Sequence, residues 1–133
     1  MVSDDPARSI YIRLGGEPGV RALVDRFYAL MDTLPEAQLL RRLHPDMERA
    51  ADSLFKFLSG WFGGPALYVR ERGHPRLRMR HLPFAIGTRE RDQWLLCMRQ
   101  ALAEQVSDAA LRTTIEQAFA GMADHMVNQA DAG

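Results

Sequence analysis

Four histidines, His44, His74, His81 and His125, are the side chains in this sequence best suited to hold a metal or move a proton. None has another histidine, a cysteine or a carboxylate at a spacing that would build a multidentate metal cage. A metal held by one of them would need its other ligands from elsewhere. Haem brings four nitrogens of its own and asks the protein for a single imidazole, so isolated histidines in a helical chain are compatible with it. The lone thiol, Cys97, has no histidine nearby in sequence to activate it and reads as a small, inert, buried hydrophobe. Templates for other chemistries are missing: there is no G-x-S-x-G, H-E-x-x-H, C-x-x-C, P-loop or dinucleotide glycine fingerprint.

The 133 residues suffice for one domain, expected to span 1–133 around a single core. Hydrophobic residues make up 47% and charged residues 26%, the balance of a packed globule rather than a disordered chain. Seventeen Lys and Arg face seventeen Asp and Glu, so net charge offers no pull toward nucleic acid or an anionic membrane. One cysteine excludes an intrachain disulfide and fits a reducing compartment. The start, Met1-Val-Ser-Asp-Asp-Pro, lacks the basic and apolar regions of a secretory signal, and no window reaches the length of a membrane span. The expectation is a soluble, cytoplasmic protein that binds neither nucleic acid nor membrane.

The elements that must position any site are helical. Val20, Leu23, Val24, Phe27, Tyr28 and Met31 share one helix face, with Pro18 in the first turn and Gly15-Gly16 breaking the short segment Ser9 to Leu14 before it. A short helix is expected from Pro35 to about Arg42, leaving His44 at a bend because it precedes proline. Asp46 is a plausible N-cap for a helix that turns Leu54, Phe57, Leu58, Trp61 and Phe62 inward and stops at Gly63-Gly64-Pro65. From Tyr68 to Gly87 the pattern is irregular and basic, with room only for a very short helix ending near His81. Thr88 reads as the cap of a helix facing Trp94, Leu95, Met98, Ala101, Leu102 and Val106 inward. Leu111, Ile115, Ala118, Phe119, Met122 and Met126 mark the last helix, and no strand pattern competes. Two long helix pairs joined by an irregular link suggest antiparallel packing in two layers.

Several stretches together resemble one family. Arg78-Met-Arg-His-Leu-Pro-Phe84 followed by Glu90-Arg-Asp-Gln-Trp94 is similar to the group II truncated haemoglobins. The likeness continues through Gly63-Gly-Pro, Tyr68, Gly73-His-Pro-Arg-Leu77, Arg26-Phe-Tyr28 and Gly15-Gly16, and so covers nearly the whole chain. It implies an all-α truncated globin, a two-over-two helical sandwich in which roughly 18–33 with 46–62, and 88–106 with 108–128, enclose a haem b.

Taken alone, His81 is most simply a capping histidine at the end of a short helix; the resemblance makes it the proximal iron ligand, its direction set by Pro83 and its other nitrogen donating to a backbone carbonyl. Tyr28 and Trp94, each read alone as a core aromatic, become distal hydrogen-bond donors to the bound ligand. His44 matches a distal position of variable type and could bond Tyr28 or the ligand. Leu54 would cover the iron, and the small Ala50 would leave an entrance open. Phe57, Met98 and Phe84 are placed along the haem as pocket walls. Tyr68 and Arg80 match positions that bind the propionates, although the run Arg70, Arg72, Arg76, Arg78 and Arg80 could equally be a solvated face. Ser53 departs from the family, where a basic residue is common, so the second propionate lacks an obvious partner; Lys56 lies one turn too far along.

The implied function is binding of O2, NO, CO or peroxide at a five-coordinate iron. Two donors in a dry pocket would slow O2 release, which favours redox chemistry such as NO dioxygenase or peroxidase-like turnover over bulk transport. With no flavin or nicotinamide motif in the chain, turnover would need a separate reductase. A haem-based gas sensor and an oxygen carrier or store remain alternatives, and a homodimer is compatible with the sequence.

Overall fold

A computed structural model describes residues 6–74 and 86–128. Every regular element among them is helical. The helices are α1 (Pro6–Arg13), α2 (Gly16–Thr33), α3 (Gln38–Arg42), α4 (Met47–Trp61), α5 (Leu67–Arg72), α6 (Thr88–Gln105) and α7 (Ala109–Met126), with a 3-10 turn over Pro35–Ala37 leading into α3. The break between α1 and α2 has a backbone cause: Gly15 and Gly16 take φ of 101° and 66°, a left-handed region that side chains rarely tolerate.

Two compact units emerge, one comprising Met1–Arg26 with Asp46–Pro75, the other Phe27–Pro45 with Arg76–Gly133. In the first, α4 packs on α5. Asp46 caps α4 as expected, its side chain accepting from Arg49 N–H at 3.1 Å. The Tyr11 N–H donates to the Phe62 carbonyl at 3.0 Å, and Tyr11 lies so close to Gly64 that any side chain there would overlap its ring. Glycine at 64 is therefore a packing requirement as well as a helix stop. The Arg21 guanidinium stacks 3.7 Å over the Phe55 ring, joining the first half of α2 to α4.

In the second unit α6 packs on α7 and α3 rests against α6. Asp108 caps α7 through Leu111 N–H at 3.1 Å. The ends of the pair are tied where Asn128 N–H donates to the Ile86 carbonyl and Ile86 N–H donates back to Asn128 Oδ1, at 2.8 and 3.0 Å.

The periodic core is as read for α2: Val20, Leu23, Val24, Phe27, Tyr28 and Met31 are all buried. Four expectations need correction. Residues 67–72 form the helix α5 where irregular chain was expected, because Pro65 and Gly73 bracket a stretch with no breaker between them. The N-cap of α6 is Gly87 and not Thr88; with no side chain to offer there, the end is closed from inside the helix, Glu90 accepting from Gly87 N–H at 3.4 Å. On α7, Ala118 is exposed and Ala123 is the buried small residue. On α4, Phe55 is buried with Leu58 and Phe62, whereas Leu54, Phe57 and Trp61 are only half-buried. No helix among the described residues is long and apolar enough to cross a membrane.

Candidate functional site

Within the second unit, aromatic rings form an unbroken chain. His44 meets Tyr28 edge-on at 5.8 Å between centroids, Tyr28 meets Phe27 at 5.0 Å, Phe27 meets Trp94 at 5.1 Å and Trp94 meets Phe119 at 5.3 Å. The pleat of a helix explains the first half: Phe27 and Tyr28 are consecutive on α2, about 100° apart, so one ring points into the core and the other beside it. Phe27 is fully buried and acts as the spacer that holds Tyr28 and Trp94 at a common distance. Met98, one turn beyond Trp94 on α6, is buried. Three sequence-predicted residues, Tyr28, Trp94 and His44, are thus brought together, with Met98 adjacent in sequence register.

Within this cluster Tyr28 is buried, whereas His44 and Trp94, the latter expected to face fully inward, are half-buried. Burial, with no charged neighbour contributing, pushes the Tyr28 phenol far above its usual pKa of 10.0. Its O–H stays protonated across any physiological range. Cys97 is buried on α6 and its thiol is pushed up to about 11, by burial first and by the Glu36 carboxylate second, so it is no nucleophile. His44 is held by its Nδ1, 2.9 Å from the Leu40 carbonyl oxygen. Its own carbonyl accepts from Arg41 Nη1 at 2.7 Å, and Arg41 is paired through Nε with Asp32 on α2 at 2.9 Å.

The first unit presents a different surface. Ala50, Leu54, Phe57 and Trp61 fall at i, i+4, i+7 and i+11 along one face of α4, and all four are half-buried. Phe57 stacks on Trp61 at 6.1 Å and meets the Tyr68 ring edge-on at 6.4 Å. This stripe ends in a polar group. Arg72 Nη1 donates to Ser53 Oγ at 2.7 Å while its guanidinium carbon lies 5.4 Å from the Tyr68 ring centre. Lys56 is occupied by Asp52 and Glu71, at 2.8 and 2.7 Å, which lowers both carboxylates and raises the amine chiefly through these hydrogen bonds. Ser53, where the resembling family commonly has a basic residue, has a cation from Arg72 on α5, nineteen positions away. His81, Arg80 and Phe84 lie outside the described residues.

These observations can be set against the needs of a haem. The macrocycle needs apolar contacts of side-chain width, and the stripe on α4 offers them. Its propionates need cations at an aqueous edge, and Arg72 beside Tyr68 offers one. A ligand on its iron needs a neutral donor, and in the second unit the buried Tyr28 O–H is one. Each unit by itself thus carries residues of the kinds the group needs. No cluster of three or more His, Cys, Asp or Glu that could hold a bare metal ion occurs among the described residues.

Comparison with known proteins agrees. Residues 9–128 match the model of the family described as bacterial-like globin. The chain is 39% identical over 118 residues to the group 2 truncated hemoglobin YjbI of Bacillus subtilis, covering 88% of this chain and 87% of that protein. A group II 2-on-2 hemoglobin from Agrobacterium tumefaciens superposes with a TM-score of 0.91 at 45% identity, over 98% of this chain and 100% of that one. A truncated oxygen-avid haemoglobin from Bacillus subtilis does so with a TM-score of 0.81 at 38% identity, over 90% and 98%.

Proposed function

This chain belongs to the bacterial-like globin family as a group II truncated haemoglobin of the two-on-two fold, which implies haem-based binding of diatomic gases, and we propose that it uses that binding for redox chemistry rather than for transport. The observation behind this reading is the buried Tyr28 phenol, a neutral O–H donor joined to Trp94 through the Phe27 ring.

When bound, haem b supplies an iron that accepts electron density from one imidazole and shares it with a diatomic ligand such as O2, NO or CO, or with peroxide. His81 would be that imidazole and the sole protein ligand, leaving a position for the gas. Leu54, Ala50, Phe57, Met98 and Phe84 would contact the macrocycle, the small Ala50 leaving the approach open and Leu54 excluding water. Tyr68 and Arg80 would hold one propionate, and Arg72, bonded to Ser53, would be the cation for the other. Tyr28 O–H and Trp94 N–H would be the donors toward the bound ligand. Each such bond to a charged acceptor contributes about 1.5–3 kcal/mol, so two would slow release by roughly two to four powers of ten. The name of one relative, oxygen-avid, accords with slow release. A protein that releases O2 slowly unloads poorly, which favours NO dioxygenation or peroxide turnover with electrons from a separate reductase.

Stopped-flow mixing of the O2-loaded protein with excess NO and a supplied reductant tests this: nitrate well beyond one equivalent per haem is expected, the reductant returning ferric iron to the ferrous state after each turnover. Nitrate limited to one equivalent per haem would make the chain a carrier or store instead. The ligand assignment has its own check, for His81→Gly should lose most haem and regain part of it with added imidazole. Full haem retention with an unchanged spectrum would assign the iron to another histidine.

A further inference from the structure

His44 stands at the bend after α3, and the bonds that hold it there are local. Its main-chain N–H donates to the Arg41 carbonyl at 3.0 Å, its own carbonyl accepts from Arg41 Nη1 at 2.7 Å, and its ring Nδ1 lies 2.9 Å from the Leu40 carbonyl oxygen. The bend is therefore closed on α3 and moves with it. Helix α3 in turn is tied on two sides. The N–H of the buried Leu40 donates to Gln93 Oε1 on α6 at 3.0 Å, an acceptor that Ala37, without a side-chain cap, does not supply. Toward α2 the tie is Arg41, whose Nε donates to Asp32 Oδ1 at 2.9 Å.

Asp32 follows Tyr28 by four residues on α2, so the two lie one turn apart on the same side of the helix. The contacts then close on themselves: from Tyr28 along α2 to Asp32, from Asp32 to Arg41, from Arg41 to His44, and from the His44 ring edge-on to the Tyr28 ring at 5.8 Å between centroids. A guanidinium is a rigid plane with its donors in fixed directions. A single Arg41 side chain that gives Nε to a carboxylate and Nη1 to a carbonyl thus fixes the spacing between them. The adjacent Arg42 is exposed and enters none of these bonds.

We propose that Arg41, braced by Asp32, is a positioning residue that holds the bend against α2, keeps the His44 ring on Tyr28 and so sets the surroundings of the phenol O–H. The Arg41 and Asp32 side chains are 39% and 59% exposed, so the pair adds little to stability and a change at the site on its removal is a local one. For its effect on a bound ligand the inference rests on the distal role proposed above for Tyr28, while the contact of the two rings can be measured without it.

The test uses the ferrous CO-bound protein in the parent, Arg41→Met, Asp32→Asn and Arg42→Met, with two readouts: nuclear Overhauser cross-peaks between the His44 and Tyr28 rings, and the C–O stretching band. Strong cross-peaks and one narrow band are expected in the parent. Arg41→Met keeps the apolar stem and removes both bonds, so the cross-peaks should fall severalfold and the band should shift or split. Asp32→Asn, at an exposed site, should act in the same direction more weakly, and Arg42→Met, which removes the same charge, should leave both readouts unchanged. Cross-peaks retained in Arg41→Met, or an equal change in Arg42→Met, overturns the proposal. If Arg41→Met does not fold, unaltered cross-peaks in Asp32→Asn overturn it. In a His44→Phe background Arg41→Met should leave the band where His44→Phe alone puts it; an equal further shift there shows another route and overturns the proposal too. So does a band that moves in Tyr28→Phe but not in Arg41→Met. A band that stays put in Tyr28→Phe counts against the distal role instead, and the cross-peaks alone then decide whether Arg41 holds the rings together.

Discussion

The two polar groupings of the molecule are built on opposite principles. Around Tyr28, His44 and Trp94 the side chains are aromatic, and the fully buried Phe27 joins Tyr28 to Trp94. Around Lys56, Asp52, Glu71 and Arg72 they are fully charged and largely in water, held by each other rather than by packing. A hydrogen bond in the first place keeps most of its strength because nothing competes for it, whereas water and salt screen the second. On the function proposed above, the chemistry would belong to the aromatic cluster and the charged one would serve placement.

The largest effect should come from removing the support of the neutral cluster. Phe27→Ala empties a fully buried ring that touches both Tyr28 and Trp94, and a loss of about 3–5 kcal/mol in unfolding free energy is expected from denaturant titration. A loss under 1 kcal/mol would mean that the rings close up without their spacer.

Next come the donors themselves. Tyr28→Phe keeps the ring and removes the O–H, so O2 dissociation, followed by displacement with CO, should quicken by one to two powers of ten, the rate equivalent of about 1.5–3 kcal/mol. Trp94→Phe should act in the same direction, and the two should be non-additive if both reach one ligand. Unchanged rates in both single variants and the pair would sink the distal assignment. The same phenol predicts an alkaline limit. Its folded pKa is raised above the unfolded value of 10.0, so the contribution to stability is complete below pH 10 and is withdrawn as the pH rises beyond it.

The charged grouping should respond less. Arg72→Leu removes a partly exposed cation, and haem transfer to an acceptor globin should quicken by about fivefold or less, since such pairs contribute on the order of 0–1 kcal/mol. A combined Ser53→Arg change should recover the parent rate. Smallest of all is Lys56→Met, which breaks two exposed ion pairs. Asp52 and Glu71 are held below their ordinary values of 3.8 and 4.5, so what Lys56 lends is present at neutral pH and fades as the pH falls through that range. Thermal melts should show a slight deficit at pH 7 that closes toward pH 3; a deficit that widens there would reverse this account.

Helices α2, α4, α6 and α7 and most of their buried faces are legible in the residues alone, since periodicity, Gly15-Gly16, Gly63-Gly64-Pro65 and the acidic cap Asp46 are local signals that need no partner. Periodicity reads Tyr28 and Trp94 only as core aromatics and the family resemblance singles them out as donors, but their link through Phe27 is not legible, because Phe27 and Trp94, 67 positions apart, share no local pattern. Tertiary structure alone decided which half of the α4 face is sealed and which is open, as Arg21 over Phe55 shows. It alone gave Ser53 its cation from Arg72 and α3 its cap from Gln93. A polar side chain several bonds long can satisfy any acceptor or donor that folding brings within about 3 Å, so its partner is set by where the helices lie and not by its neighbours in the chain.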